Sequence, residues 1–167
     1  MSKKIIHLSQ SVLTFLPTAI GKFAAWYVVA MIFLPGIVVF CRYDLNIGII
    51  SLQEMTIYLH GSLFLLCAAY ALGEDEHVRV DIFYRNWSKR RKAFINFLGQ
   101  VLFVQPMAWL TLLISIYYGS FSWSIGEVSP EPGGLPIVYV LKSILLVFAI
   151  LLIMQSFAMI LKYFEDQ

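Results

Sequence analysis

Long apolar stretches separated by short polar segments dominate the chain, and their lengths fit membrane-spanning helices. A helix needs about 20 consecutive apolar residues to cross the hydrocarbon core of a bilayer. Four stretches have close to this length, whereas residues 5–20 are shorter and are interrupted by His7, Ser9 and Gln10. The pattern therefore predicts an all-α integral membrane protein. Its four transmembrane helices are predicted at residues 23–41, 51–72, 93–118 and 137–161.

The segments outside these spans also have predicted forms. Residues 5–20 predict an interfacial helix lying on the membrane and ending near Pro17, because proline breaks the helical hydrogen-bond ladder. Pro106 predicts a kink in the third span. Residues 119–136 are rich in Gly, Pro and Ser and predict a loop. We expect the whole chain, residues 1–167, to form one membrane domain.

Basic residues determine the predicted orientation, because cytoplasmic segments carry an excess of Lys and Arg. Only Arg42 and Lys142 fall on one side of the predicted membrane. The other side collects Lys3, Lys4, Lys22, Arg79, Arg85, Lys89, Arg90, Arg91, Lys92 and Lys162. Both termini and the polar segment 73–92 are therefore predicted to be cytoplasmic. The 119–136 loop, which has no Lys or Arg, is predicted to be periplasmic.

The cytoplasmic segment between the second and third spans predicts a short amphipathic helix. Asp81 can cap its first turn. Three aromatic residues are expected near one face: Phe83, Trp87 and Phe94. Arg90 and Arg91 are expected away from that face, toward anionic headgroups of the inner leaflet. The alternative is a plain basic loop that only sets the topology.

Composition agrees with a membrane protein and gives no indication of an enzyme. Hydrophobic residues make up 60% of the chain and charged residues 13%, whereas soluble domains have about 45–50% and about 25%. The sequence has no Gly-rich phosphate loop, metal-ligand cluster or closely spaced carboxylate pair. We expect no catalysis, no cofactor and no nucleic-acid partner. Cys41 and Cys67 are predicted at different depths, too far apart for a disulfide.

Few ionisable side chains lie within the predicted spans. Glu54 and Lys142 have matching depths, which allows an ion pair between the second and fourth helices or a contact with another subunit. The alternative is that Lys142 extends to the interface and Glu54 is hydrated. His60 has no second histidine at its depth, so haem binding is not expected. Three glutamines are expected to form hydrogen bonds between helices: Gln100, Gln105 and Gln155.

Several motifs together resemble a known family. The second span carries Glu54 and, further on, LFLLCAAYALGEDEHVRVD, which includes Arg79 and Asp81. The predicted loop contains GEVSP and GGLP, and Lys142 follows in the fourth span. In order, spacing and membrane side, this pattern resembles the small membrane subunit, the DctQ type, of tripartite ATP-independent periplasmic (TRAP) transporters. The resemblance covers about residues 20–162.

The resemblance implies a small permease subunit of an ion-gradient-driven transporter of the bacterial inner membrane. Such a subunit would scaffold the large membrane subunit and help to dock the periplasmic solute-binding protein. The expected partners are the lipid bilayer, a large membrane subunit on a separate chain with the solute and sodium sites, and a periplasmic solute-binding protein that captures an organic acid or similar solute. Six residues are expected to make partner or structural contacts: Glu54, Arg79, Asp81, Glu127, Glu131 and Lys142. The alternative function is a four-helix membrane anchor of a respiratory oxidoreductase, which the lone His60 disfavours.

Overall fold

The computed structural model describes residues 3–76 and 87–165, and it describes side chains in the first stretch from residue 7 onward. These two stretches are helical, with connecting turns and no strand. The helices are α1 (Lys3–Ala25), α2 (Tyr27–Tyr43), α3 (Ile50–Gly73), α4 (Lys89–Gly99), α5 (Gln105–Ser124) and α6 (Val138–Glu165). A π-helical segment, Gln100–Val104, joins α4 directly to α5.

Four helical stretches among the described residues are long and apolar enough to cross a membrane. They are His7–Tyr43, Ile50–Gly73, Lys89–Ile125 and Val138–Glu165. The first combines α1 and α2, which are separated only by Trp26, and the third combines α4, the π-helical segment and α5. The predicted all-helical architecture with four helices able to span a membrane is confirmed.

The N-terminal helix extends beyond its predicted end. Pro17 was expected to terminate it, but α1 continues to Ala25 with Pro17 buried inside it. Pro17, Gly21 and Ala24 are all buried and are spaced four and three residues apart, so they lie on one face of α1. This face packs against α3 and α6. Packing against two helices stabilises the turn that contains the proline, while the interfacial location of residues 5–20 stays a prediction.

The third helix is longer than residues 93–118. It begins at Lys89 and ends at Ser124, so the loop that follows starts at Ile125. Ser120 and Ser124, part of the polar composition that predicted a loop, donate their hydroxyls to carbonyls three residues earlier in the same helix, at 3.0 and 2.7 Å. The helix satisfies these polar side chains itself, and it can therefore continue through them.

The buried interior consists of small residues, uncharged polar side chains and a few leucine and isoleucine side chains, whereas most of the large apolar side chains lie outside. Ala24, Leu66, Ala69 and Leu151 form a buried cluster between α1, α3 and α6. Large side chains point away from the bundle, as shown by Phe103, which is 74% exposed. This distribution suits a protein surrounded by lipid, because small residues allow helices to approach closely.

Two glutamines connect the third helix to α6, as expected. The Gln105 amide nitrogen donates to the Ile153 carbonyl at 3.3 Å, and its oxygen accepts from the Trp109 indole at 3.0 Å. The Gln100 amide nitrogen lies 3.5 Å from the Met159 sulfur. The π-helical segment ends just before Pro106, where a kink was expected. Its wider turn accommodates the missing N–H of the proline.

Helices α1 and α3 approach each other closely at Gly21. A β-carbon placed on Gly21 would overlap the Tyr70 side chain, with the Tyr70 Cγ only 2.9 Å away. The Cys67 thiol donates to the Gly21 carbonyl at 3.4 Å. Cys41 and Cys67 are both free thiols in this structure.

We predict that Gly21→Ala destabilises the fold, because the new methyl group would force α1 and α3 apart. Overpacking of this kind costs about 1–3 kcal/mol. Gly36→Ala is the matched control, since a β-carbon at Gly36 would meet no atom within 4 Å. Thermal unfolding of the two purified variants in detergent measures the difference. Equal unfolding midpoints for both variants would contradict the close contact at Gly21.

Candidate functional site

The segment that joins α5 to α6, residues 125–137, folds back over the bundle end at which α3 begins. We call it the 125–137 loop. Its backbone closes on itself, since the Ser129 N–H donates to the Leu135 carbonyl at 3.1 Å and the Gly134 N–H to the Glu131 carbonyl at 2.9 Å. Gly133 has φ +79°, a left-handed conformation that glycine adopts without steric cost. The loop therefore has a defined shape.

The Glu54 carboxylate holds this loop from α3. One carboxylate oxygen accepts from the Ser129 hydroxyl, and the other accepts from the Leu135 N–H at 2.6 Å. The Ser129 hydroxyl oxygen in turn accepts from the Glu131 N–H at 3.1 Å. Gly134 lies so close that a β-carbon there would be 2.8 Å from Glu54 Oε1. Hydrogen bonds to a charged acceptor are stronger than neutral ones, so Glu54 is a strong anchor of the loop.

A second anchor comes from α6. The Lys142 ammonium forms an ion pair with the Glu127 carboxylate and lies 3.9 Å from the centre of the Tyr118 ring on α5. The hydrogen bond from Lys142 lowers the pKa of Glu127 below its ordinary value. Lys142 therefore joins the loop, α5 and α6 at one point.

The end of α5 is attached to α6 beside this ion pair. The Trp123 indole donates to the Ser143 hydroxyl at 2.8 Å, and its ring lies 4.5 Å from the ring of Tyr139. Both ends of the 125–137 loop thus leave from helices that contact each other. This contact limits how far the loop can shift.

The direct pair between Glu54 and Lys142, one of the possibilities that their matching depths left open, does not form. Each side chain instead binds the loop, Glu54 through Ser129 and Leu135, and Lys142 through Glu127. The prediction matched two charges by depth and did not consider that the loop could supply a partner for each. Ser129 and the Leu135 N–H are functional groups that the sequence reasoning missed. The sequence did offer one indication of these contacts, a serine in the loop that follows a span, with Glu54 and Lys142 both near the same membrane surface.

The remaining predicted residues are distributed differently. Glu131 is exposed on the loop. Arg79, Asp81 and Phe83 lie outside the described residues. Trp87, Arg90 and Arg91 lie near the opposite end of the bundle, where both arginines are in the first turn of α4.

Arg90 and Arg91 were predicted to lie away from the face that carries Trp87 and Phe94, and this prediction is wrong. Trp87, Arg90, Arg91 and Phe94 line one cavity at the start of α4. Within α4, Phe94 lies four residues after Arg90 and three after Arg91, so the three side chains share a helix face. Trp87 precedes the helix and lines the same cavity. Arg90 and Arg91 also belong to the third spanning helix itself, since α4 continues into α5. A contact between these residues and lipid stays a prediction.

The described residues contain no group of three or more His, Cys, Asp or Glu side chains that could hold a metal ion. His60 is exposed on α3 and lines a shallow groove with Phe64 and Cys67.

A protein-family model described as "Tripartite ATP-independent periplasmic transporters, DctQ component" matches residues 31–166. The chain belongs to the DctQ family. It is a small permease component of a TRAP transporter, which is a transport component and not an enzyme. The comparisons with curated proteins and with solved structures gave no match. The resemblance inferred from the sequence motifs is confirmed.

The DctQ match includes the whole of the site described above. Glu54, the 125–137 loop and Lys142 all lie between residues 31 and 166, whereas α1 precedes the match. In this DctQ chain, two spanning helices thus hold the loop through one carboxylate and one ammonium group.

We predict that Glu54→Gln loosens the loop of this DctQ protein. An amide has a single acceptor oxygen and cannot replace both charge-assisted bonds, a loss of about 1–3 kcal/mol. Hydrogen exchange at the Leu135 amide should accelerate by roughly 5- to 100-fold, in proportion to that loss. Glu131→Gln is the control, because no hydrogen bond of its carboxylate holds the loop. Unchanged exchange in Glu54→Gln would contradict the anchoring role.

The Glu127–Lys142 pair predicts a pH dependence of loop order. The pKa of Glu127 is lowered in the folded chain, so its contribution is present above the ordinary carboxyl pKa and is lost as pH falls through the lowered value. We expect Trp123 fluorescence, measured with the other three tryptophans changed to phenylalanine, to shift in acid, at pH values below the ordinary pKa of a glutamate carboxyl. Glu127→Gln should remove this part of the shift. An identical titration in that variant would contradict the prediction.

Proposed function

We propose that this DctQ chain supports the large membrane subunit of its transporter and presents the 125–137 loop to the periplasmic solute-binding protein. The main support for this proposal is that two side chains from different helices, Glu54 and Lys142, each hold that loop in place. A docking surface of constant shape loses less conformational freedom on binding than a mobile loop. The exposed Glu131 carboxylate adds a negative charge that can steer a complementary partner.

The proposed orientation places the loop in the periplasm and both termini in the cytoplasm of a bacterium, with the spans in the inner membrane. Lys22 follows Gly21, which packs on Tyr70 near the end of α3 opposite Glu54. Lys162 lines a cavity together with Asp75 and Ala93 at that same end. Together with Arg90 and Arg91 at the start of α4, basic residues from three spans thus gather at the end opposite the loop. This distribution supports the proposed orientation by the positive-inside rule.

The scaffold role is supported by the uncharged interior. Within the described spans, the buried polar residues are serines and glutamines, which carry no charge: Ser62, Gln100, Gln105, Ser115, Ser122, Gln155 and Ser156. Ion pathways through membranes are typically marked by ionisable residues that face the bundle interior or a water-filled cavity. We propose that a large subunit on a separate chain carries the sodium-coupled uptake of an organic acid, and that this chain braces it.

The test separates assembly from docking. A tagged copy is purified from native membranes as wild type, as Glu131→Lys and as Glu76→Lys, and the co-purifying proteins are identified by mass spectrometry. Glu76 is an exposed carboxylate at the opposite end and serves as the charge-matched control. We expect wild type and Glu76→Lys to retain a large multispanning subunit and a soluble binding protein. Glu131→Lys should retain the multispanning subunit and lose at least half of the binding protein.

Two results would contradict the proposal. Recovery of the wild-type chain alone, or with a flavoprotein, would exclude the scaffold role. Equal recovery of the binding protein by Glu131→Lys and Glu76→Lys would exclude docking through the loop while leaving the scaffold role intact.

A further inference from the structure

A cavity of about 660 Å³ opens beside the start of α4. Its lining includes Trp87, Arg90, Arg91, Phe94, Ile95 and Tyr163. The cavity lies at the end of the bundle opposite the 125–137 loop, because α4 begins there and Tyr163 is close to the end of α6. The proposed support of the large subunit and the proposed docking of the solute-binding protein do not require this cavity.

Most of the lining belongs to a single face of the polypeptide around α4. Within α4, Arg90 and Phe94 are four residues apart, as are Arg91 and Ile95, which is the spacing of one helical stripe. Trp87 adds to the lining from just before the helix. Along this stripe the character changes from cationic to apolar, from Arg90 and Arg91 to Phe94 and Ile95. The change occurs in the direction in which α4 continues into the spanning helix.

The guanidinium groups of Arg90 and Arg91 are available to bind a ligand. Both are exposed, and neither forms a hydrogen bond or an ion pair with the described part of the chain. A guanidinium group presents a planar fork of N–H donors that matches the oxygens of a phosphate group. Two adjacent forks in one cavity therefore favour a phosphate-bearing ligand.

The apolar side of the cavity, formed by Phe94 and Ile95, indicates that the ligand also has an apolar part. Phe94 is 47% exposed and Ile95 is 41% exposed, so both offer surface to an acyl chain. Tyr163 forms the α6 side of the cavity, and its ring stacks on Phe97 at 4.7 Å, which fixes its position. Trp and Tyr rings are typical of the level of lipid headgroups. A soluble phosphate compound would leave the apolar wall unused.

We propose that this cavity is a binding site for an anionic phospholipid. Arg90 and Arg91 bind the phosphate of the headgroup, and one acyl chain lies along Phe94 and Ile95. Trp87 and Tyr163 flank the headgroup. The proposal requires the chain to lie in a membrane but does not depend on docking through the 125–137 loop.

The experiment is native mass spectrometry of the purified full-length chain in detergent. The probes are dioleoyl phosphatidylglycerol, dioleoyl phosphatidylcholine and glycerol 3-phosphate. We expect the wild type to bind phosphatidylglycerol about tenfold more tightly than phosphatidylcholine, and glycerol 3-phosphate not to compete at lipid-saturating concentrations. Arg90→Gln/Arg91→Gln should weaken phosphatidylglycerol binding roughly thirtyfold and each single change roughly fivefold, the scale expected for basic residues at an anionic surface.

The charge-matched control is Lys22→Gln/Lys89→Gln, which removes two cations at the same end of the bundle that do not line the cavity. It should weaken phosphatidylglycerol binding by less than about threefold, because general attraction to anionic lipid is all that it removes. Circular dichroism checks that each variant is folded, and the single variants decide the matter if the double variant is not. Equal losses in the arginine and lysine variants, equal binding of both lipids, or full competition by glycerol 3-phosphate would each overturn the proposal.

Discussion

Helices surrounded by lipid gain little from hiding apolar side chains from one another, and this constraint explains how the bundle is built. Association must come from close backbone approach and from hydrogen bonds between helices. The interior accordingly contains alanines and serines, with Gly21 against Tyr70 and Gln105 bound to the Ile153 carbonyl. Charged groups remain at the two ends, where water or a partner can reach them. The positions of the loop site and the arginine cavity follow from this division.

The coarse architecture was accessible from the sequence because span length and hydropathy are local properties. Four apolar stretches gave four helices able to span, and the order of the loop motifs identified the family. The end of α1 was not accessible in this way. A proline normally terminates an isolated helix, but Pro17 is buried by packing against α3 and α6, a tertiary contact that the local pattern does not contain.

The candidate site was only partly predictable for a related reason. Glu54 and Lys142 were recognised as unusual charges at matching depth, but their partners come from a loop whose fold depends on Gly133 and Gly134. Backbone donors such as the Leu135 N–H carry no sequence signature. The error at Arg90 and Arg91 was different. Their face could be worked out from helical spacing alone, and assigning them to a separate flat helix concealed their alignment with Trp87 and Phe94.

The π-helical segment Gln100–Val104 has a consequence for length variation in the third helix. The Gln105 N–H bonds to the Gln100 carbonyl, five residues back, so this turn contains one residue more than an α-helical turn. Deletion of one residue here would convert the turn to an ordinary α-helical turn. The faces that α4 and α5 present to the other helices would then stay the same. The same deletion in the middle of α6 would rotate every later side chain by about 100°. Among the described spans, this turn is therefore the place where a one-residue deletion disturbs the packing least.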